Sequence, residues 1–258
     1  MIGQKNNLDK IFQWKLNKSL PRFILIIGEK GSGRLTLAKA IAKSISCTPV
    51  IIGNSVDDVR ETIRSSYTVQ ETTMYIFRNA DAMRAEAKNA LLKVTEEPPN
   101  NAYFIMTLEK ESNTLETIIS RSVQLQIEPY TLSQLLKYTD SSTLVEYCSN
   151  IGQIKEWQER GDVDEFIKFT NDISDNLKSM YGTDILQISK KLKCKETETG
   201  YDCVQFVKTL YKMLPVNKEI ARITTQCIND LQRVGIKKSS TIDLYLLELK
   251  EELKELLN

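Results

Sequence analysis

The sequence predicts an α/β domain built on a parallel sheet, followed by a wholly helical region. Three features carry this expectation. Short, apolar, β-branched runs alternate with helical periodicity over the first half of the chain. The run Phe23-Ile24-Leu25-Ile26-Ile27 ends at a glycine-rich turn that leads into a helix. Beyond about residue 130 strand signals stop, and nearly every stretch to Asn258 has helical spacing.

The elements follow in order. Residues 23–27 form a continuous apolar run, as expected of a strand buried on both faces. Leu37, Ala38, Ile41, Ala42 and Ile45 recur at helical spacing over Leu35 to Ser46. Val50-Ile51-Ile52 is the second expected strand and Met74 to Phe77 the third. Residues 83–97 predict a helix with Ala87, Ala90, Leu91 and Val94 on one face, stopped by Pro98-Pro99. Tyr103 to Thr107 is the fourth strand. This β-α-β alternation implies helices on both faces of the sheet. Among the later helices, breaks are expected near Gly152, Gly161, Gly182, Gly200, Pro215 and Gly235. The last helix carries Ile242, Leu246, Leu249, Leu253 and Leu256 as one stripe, either the core of a bundle or a seam for neighbouring subunits.

Composition removes several classes of function. The 258 residues are 41% apolar, enough for real cores, but no run approaches the roughly 18 apolar residues of a membrane span. MIGQKNNLDK has no apolar signal core, so a cytoplasmic chain with no membrane partner is expected. Histidine is absent, which excludes Ser-His-Asp triads and histidine metal sites. Cys47, Cys148, Cys194, Cys203 and Cys227 include no C-x-x-C pair, against a disulfide framework and a cysteine zinc site. The net charge of +1 argues against a chain that is basic throughout, though not against a local basic face.

The stretch GEKGSGRLT, residues 28–36, is a defective phosphate-binding loop. Gly28 and Gly33 have the spacing of G-x-x-x-x-G-K-[ST], with Lys30, Gly31 and Ser32 between them. Arg34 stands in the lysine position and Leu35 in the Ser/Thr position. The strand–turn–helix context is the required one, and the following helix adds its positive N-terminus. A plain glycine turn is the alternative. Arg34 can meet a phosphate, but its planar fork is not a lysine point charge. Leu35 offers magnesium no oxygen, and Thr36 comes one residue late. The strand expected to supply carboxylates instead ends Arg78-Asn79-Ala80-Asp81, and a cation there opposes magnesium. Asp81 is expected past the site, capping the following helix. Altered metal and water positions together argue against hydrolysis.

Residues 78–108, with Asn89-Ala90-Leu91-Leu92-Lys93 and Glu96-Glu97-Pro98-Pro99, resemble a segment of the AAA+ clamp-loader family. Ser120-Arg121-Ser122 is similar to that family's S-R-C motif, Ile2-Gly3-Gln4 to its I-G-Q box, and Leu20-Pro21 to the dipeptide before its first strand. Residues 221–249 resemble its helical collar. The resemblance implies an AAA+ P-loop NTPase domain with a RecA-like parallel sheet over 1–130, a small helical lid over 131–174 and an all-α collar for oligomerisation over 175–258. Within the family the chain is most similar to the delta-prime type of DNA polymerase III.

That type implies a degenerate ATP site in cis and an arginine finger in trans: Arg121, positioned by Ser120, would reach a neighbour's ATP. The alternative for Arg121 is a surface ion pair. Thr107 is the remaining candidate at the sensor strand, because Leu108 replaces a polar residue. Ser149-Asn150-Ile151-Gly152-Gln153 resembles a sensor motif with Gln153 in place of the basic residue. Only Cys47 falls where relatives carry a zinc module, so no zinc and no other metal is expected. No cofactor is required, and ATP or ADP would be held weakly. The implied partners are ATPase motor and delta-type subunits, a sliding clamp and primer-template DNA. Arg84 and Lys88 are one turn apart on the helix that would face DNA, although a solvated face is an equal reading. Three other readings fit: an active clamp-loader motor or helicase loader using Arg34 for lysine, a scaffold with no finger role, and a delta-type subunit.

Overall fold

The computed structural model describes residues 3–194, 200–233 and 235–256. Ile2, in the I-G-Q box, lies outside them. The chain forms two compact units, Met1–Glu159 and Arg160–Asn258. The stretch 131–159 thus belongs to the first unit.

The first unit runs α1 (Lys5–Leu16), β1 (Phe23–Ile27), α2 (Arg34–Ser44), β2 (Pro49–Ile52), α3 (Val56–Ser66), β3 (Thr73–Phe77), α4 (Ala85–Glu96), β4 (Ala102–Leu108), α5 (Glu116–Ile119) and β5 (Val123–Gln126). Three short helices follow: α6 (Leu132–Leu136), α7 (Ser142–Tyr147) and α8 (Ile151–Arg160). The five strands form one parallel sheet in the order β2-β3-β4-β1-β5. All five residues of β1 are buried, because β4 and β5 flank it and helices cover both faces. Alternate residues feed two cores. Phe23, Leu25, Ile27, Phe77 and Phe104 pack with Val59, Leu91 and Val94 on one face. Ile24, Ile26, Ile76 and Ile105 pack with Leu37, Ala38 and Ile41 on the other. Each fully buried side chain of this size contributes about 1.5–3 kcal/mol.

Four elements go beyond the sequence expectation: α1, α3, α5 and β5. The fifth strand, Val-Gln-Leu-Gln, buries only Leu125 and lies at the sheet edge, so it has no continuous apolar run. Helix α1 has only Asn7 and Ile11 fully buried and leaves Phe12 and Leu16 exposed, which dilutes its periodicity.

The second unit contains α9 (Val163–Asn176), α10 (Gly182–Lys190), β6 (Leu192–Lys193), β7 (Tyr201–Asp202), α11 (Cys203–Met213), α12 (Lys218–Leu231) and α13 (Lys238–Glu255). The paired two-residue strands correct the expectation that strands stop near residue 130: they are too short to produce a pattern in the sequence. On α13, Ile242, Leu246, Leu249 and Leu253 are buried inside the unit together with Tyr245. The stripe is therefore bundle core and not an open seam, and Leu256 falls outside it, about half exposed.

Candidate functional site

Strand register decides what meets at the sheet's C-terminal edge. Ile27 pairs with Leu108, and Phe77 with Met106, so the turns after β1, β3 and β4 lie side by side. This edge is where open α/β sheets place their ligands. The loop after β1 turns through Gly31 (φ +83°) and Gly33 (φ +99°), left-handed values that favour glycine. Gly33 caps α2, and Arg34 is the first residue of that helix.

Arg34 does not project to solvent; it is 6% exposed and turned beneath the loop. Its Nη1 lies 3.7 Å from Asp81 Oδ2, and its Nη2 lies 3.6 Å from Glu109 Oε1. Nη2 also donates to Asn79 Oδ1 at 3.3 Å. Burial lowers the Arg34 pKa from its usual value; Glu109 and then Asp81 oppose that shift, and Arg78 adds to it. Asp81 is held in turn by the Glu109 N–H (2.8 and 3.0 Å) and by Asn113 Nδ2 (2.8 Å). Arg84, and not Asp81, occupies the N-cap position of α4, without a side-chain capping bond. Asp81 is thus a member of the site and not a cap past it, because a 3-10 turn over Ala80–Ala82 carries it back toward β4. Glu109 escaped the sequence reading because nothing but its place one residue past a strand marked it.

The remaining expected residues fall in three places. Thr107, fully buried, accepts the Asn79 N–H at 2.9 Å and holds that residue in a left-handed conformation (φ +51°). Arg78 is exposed, and its carbonyl and that of Asn79 accept from Asn54. Lys88 donates to the Asn113 carbonyl at 2.6 Å; burial lowers its pKa, against Asp81, whereas Arg84 is exposed.

The segment after α7 lies on the loop. Gly152 N–H donates to the Gly31 carbonyl at 3.0 Å, and Asn150 Nδ2 to the Lys30 carbonyl at 3.2 Å. Ser149 Oγ reaches Glu29 at 3.0 Å, and Tyr130 donates to the Ser32 carbonyl at 2.9 Å. Gln153 Oε1 accepts from Ser149 N–H at 2.8 Å and from Ser149 Oγ at 3.1 Å. Gly28 is needed because a Cβ there would meet Ile127 at 2.7 Å. Leu35 is partly buried against the α1–α2 side core, with no oxygen to offer.

Two buried polar atoms at the loop, Ser32 Oγ and Arg34 Nη1, have no hydrogen-bond partner. Ser32 Oγ and the N-terminus of α2 fit the oxygens of an anion, whereas Arg34 Nη1 is held near Asp81. The same groups do not fit magnesium: position 35 lacks a hydroxyl, and the nearby carboxylates are engaged with Arg34.

Arg121 sits just past α5, beside Glu96 at the end of α4, 40% exposed. Its Nη2 pairs with Glu96 Oε1 at 3.2 Å, and Nη1 donates to the Thr117 carbonyl at 3.0 Å. Ser120 Oγ donates to the same carbonyl at 3.2 Å.

The sequence model described as "DNA polymerase III, delta subunit" matches residues 50–131, a span that includes the Asp81 turn, Glu96 and Arg121. Over that span the chain is similar to clamp-loader AAA+ subunits. Relatives named as subunits of DNA polymerase III are similar to it as well. The delta' subunit of DNA polymerase III from Bacillus subtilis is 28% identical over 136 residues, covering 41% of each chain. The tau subunit from the same organism is 22% identical over 272 residues, 88% of this chain and 48% of its own length. A gamma subunit from Buchnera aphidicola is 25% identical over 53% of this chain and 45% of its own. The chain therefore matches less than half the length of these relatives. Two solved structures share the fold: a gamma-subunit-related protein of Thermotoga maritima (18% identity, TM-score 0.50, 94% of this chain and 99% of that one) and a RuvB point variant of Thermotoga maritima (13%, 0.53, 98% and 88%). No helix among the described residues is long and apolar enough to cross a membrane.

Proposed function

We propose that this chain is a clamp-loader subunit of the delta-prime type, which does not hydrolyse ATP itself and offers Arg121 in trans to a neighbouring ATPase subunit. The observation that carries the first half is the inward turn of Arg34 onto Asp81 and Glu109. A phosphate-loop cation committed to its own carboxylates is poorly placed to stabilise transferring charge, and Leu35 cannot ligate magnesium. Support for the second half is position: Arg121 stands half exposed at the surface, and its partner Glu96 is also exposed. Exchange of an exposed carboxylate for a polyphosphate costs little, since such pairs are worth about 0–1 kcal/mol. In this reading the partners are ATPase motor and delta-type subunits, a sliding clamp and primed DNA, and any ATP or ADP in this chain is weakly held.

The experiment is clamp- and DNA-stimulated ATP hydrolysis by a complex reconstituted with the cognate motor subunits, carrying either the wild-type chain or Arg121→Ala. A fall of about 10³-fold at the shared site is expected of a finger residue. Unchanged turnover in an assembled complex would leave Arg121 as half of a surface ion pair and the chain as a scaffold.

A further inference from the structure

The second unit brings two cysteines together that are nine positions apart in the sequence. Leu192 pairs with Tyr201, and Lys193 with Asp202, in a parallel register. One further step along both strands sets Cys194 beside Cys203. Adjacent strands lie about 4.8 Å apart, inside the roughly 4.4–6.8 Å Cα window that a disulfide requires. The two sulfurs are already 3.7 Å apart. Gly200 makes the approach possible: a Cβ there would lie 2.7 Å from the Lys191 carbonyl oxygen and 3.1 Å from Lys193 N. The pair is held from both sides, with Cys203 Sγ donating to the Lys193 carbonyl at 3.4 Å and Cys194 Sγ to that of Ser189 at 3.5 Å.

We propose that Cys194 and Cys203 form a redox modification site, a thiol pair that a hydroperoxide converts to an intrachain disulfide. Their unequal exposure orders the steps. Cys194 is partly exposed, whereas Cys203 is buried and its thiol pKa is pushed well above the ordinary value by that burial. The Cys194 thiolate attacks the peroxide oxygen, the O–O bond breaks, and hydroxide leaves, giving a sulfenic acid. The Cys203 sulfur then attacks the Cys194 sulfur; the S–O bond breaks and water leaves with the Cys203 proton. The balance is two thiols and one hydrogen peroxide to one disulfide and two waters. The disulfide would tie the start of α11 to the end of β6.

The test treats the full chain with hydrogen peroxide, alkylates the remaining thiols after unfolding, and maps tryptic peptides without reduction. The expected result is joint loss of alkylation at Cys194 and Cys203. A linked peptide then joins Cys194-Lys195 to residues 196–208, two hydrogens lighter than the separate pieces and restored by dithiothreitol. Cys47, Cys148 and Cys227 stay alkylatable. Because Cys203 is buried, Cys194→Ser is the control variant, and in it Cys203 remains alkylatable after the same treatment. Cys194 ending as a sulfinic acid or an intermolecular disulfide while Cys203 stays a thiol would overturn the proposal, and so would two unreacted thiols.

Discussion

The backbones of Gly31 and Gly152 touch: the Gly152 N–H donates to the Gly31 carbonyl at 3.0 Å, and a Cβ on Gly152 would lie 2.3 Å from Gly31 Cα. This contact seats the 149–153 segment on the glycine-rich loop after β1. Neither side can yield, since both groups are backbone. Gly152→Ala is therefore expected to push the segment off the loop and destabilise the chain by about 1–3 kcal/mol, the usual cost of overpacking. Chemical denaturation checks the magnitude. Faster exchange of the residue-152 amide in the variant than in wild type checks the place; an unchanged midpoint would mean the contact is not formed in solution.

Arg34 sets a second expectation. Its removal leaves Asp81 and Glu109 facing each other without their shared cation, although Asp81 keeps its hydrogen bonds from Glu109 N–H and Asn113. Both carboxylates are partly exposed, so the cost falls below that of a fully buried pair: about 1–3 kcal/mol for Arg34→Met. Arg34→Lys, which restores the residue of an intact phosphate loop, is expected to leave the chain without magnesium-dependent hydrolysis, because Leu35 still lacks an oxygen. Calorimetric titration with ADP, with and without magnesium, provides a direct check. Binding by wild type is expected to be weak and indifferent to magnesium, and a strong magnesium dependence would contradict the arrangement.

Much of the sheet was legible in the sequence because its central strands are buried on both faces and so read as unbroken apolar runs. Phe23 to Ile27 is the clearest case. Edge strand β5 and helix α1 were not, since one buried residue in four, or two in twelve, leaves no period to detect. At the site, the departure of Arg34 and Leu35 from the phosphate-loop pattern was visible, but the inward turn of Arg34 was not. Whether Arg34 faces solvent or folds inward depends on Asp81 and Glu109, which lie 47 and 75 positions further on and meet it only through strand register. The Cys194–Cys203 approach escaped for the same reason: a two-residue ladder carries no sequence pattern.

Arg121 and Glu96 provide a separation of stability from function. Both are substantially exposed, 40% and 54%, so their 3.2 Å pair contributes at most about 1 kcal/mol. Arg121→Ala and Glu96→Gln are each expected to leave the thermal midpoint of the isolated chain within a few degrees of wild type. A large drop for Arg121→Ala would mean that any loss of activity in a complex reflects unfolding and not a missing finger.

The last expectation concerns pH and the second unit. Arg160 forks onto Asp162, with Nε to Oδ1 at 3.0 Å and Nη2 to Oδ2 at 2.7 Å, while Nη1 donates to the Gly200 carbonyl at 3.1 Å. Its guanidinium also lies 5.0 Å from the centroid of the Tyr201 ring. The hydrogen bond from Arg160 is the main cause that holds the Asp162 carboxyl below its ordinary value of 3.8. A carboxyl depressed in the folded state stabilises that state above its unfolded pKa, and the contribution is lost as pH falls through the folded one. The pair therefore contributes fully at pH 5 and above and fades below about pH 4. Both side chains are about 30% exposed, so the amount is about 1 kcal/mol or less. Urea midpoints measured from pH 6 down to pH 3 are expected to fall more steeply for wild type than for Asp162→Asn. The gap between the two curves narrows toward the acid end, as the wild-type carboxyl begins to take up its proton. Parallel curves would show that Asp162 titrates as it does in the unfolded chain, and that Arg160 holds Gly200 without it.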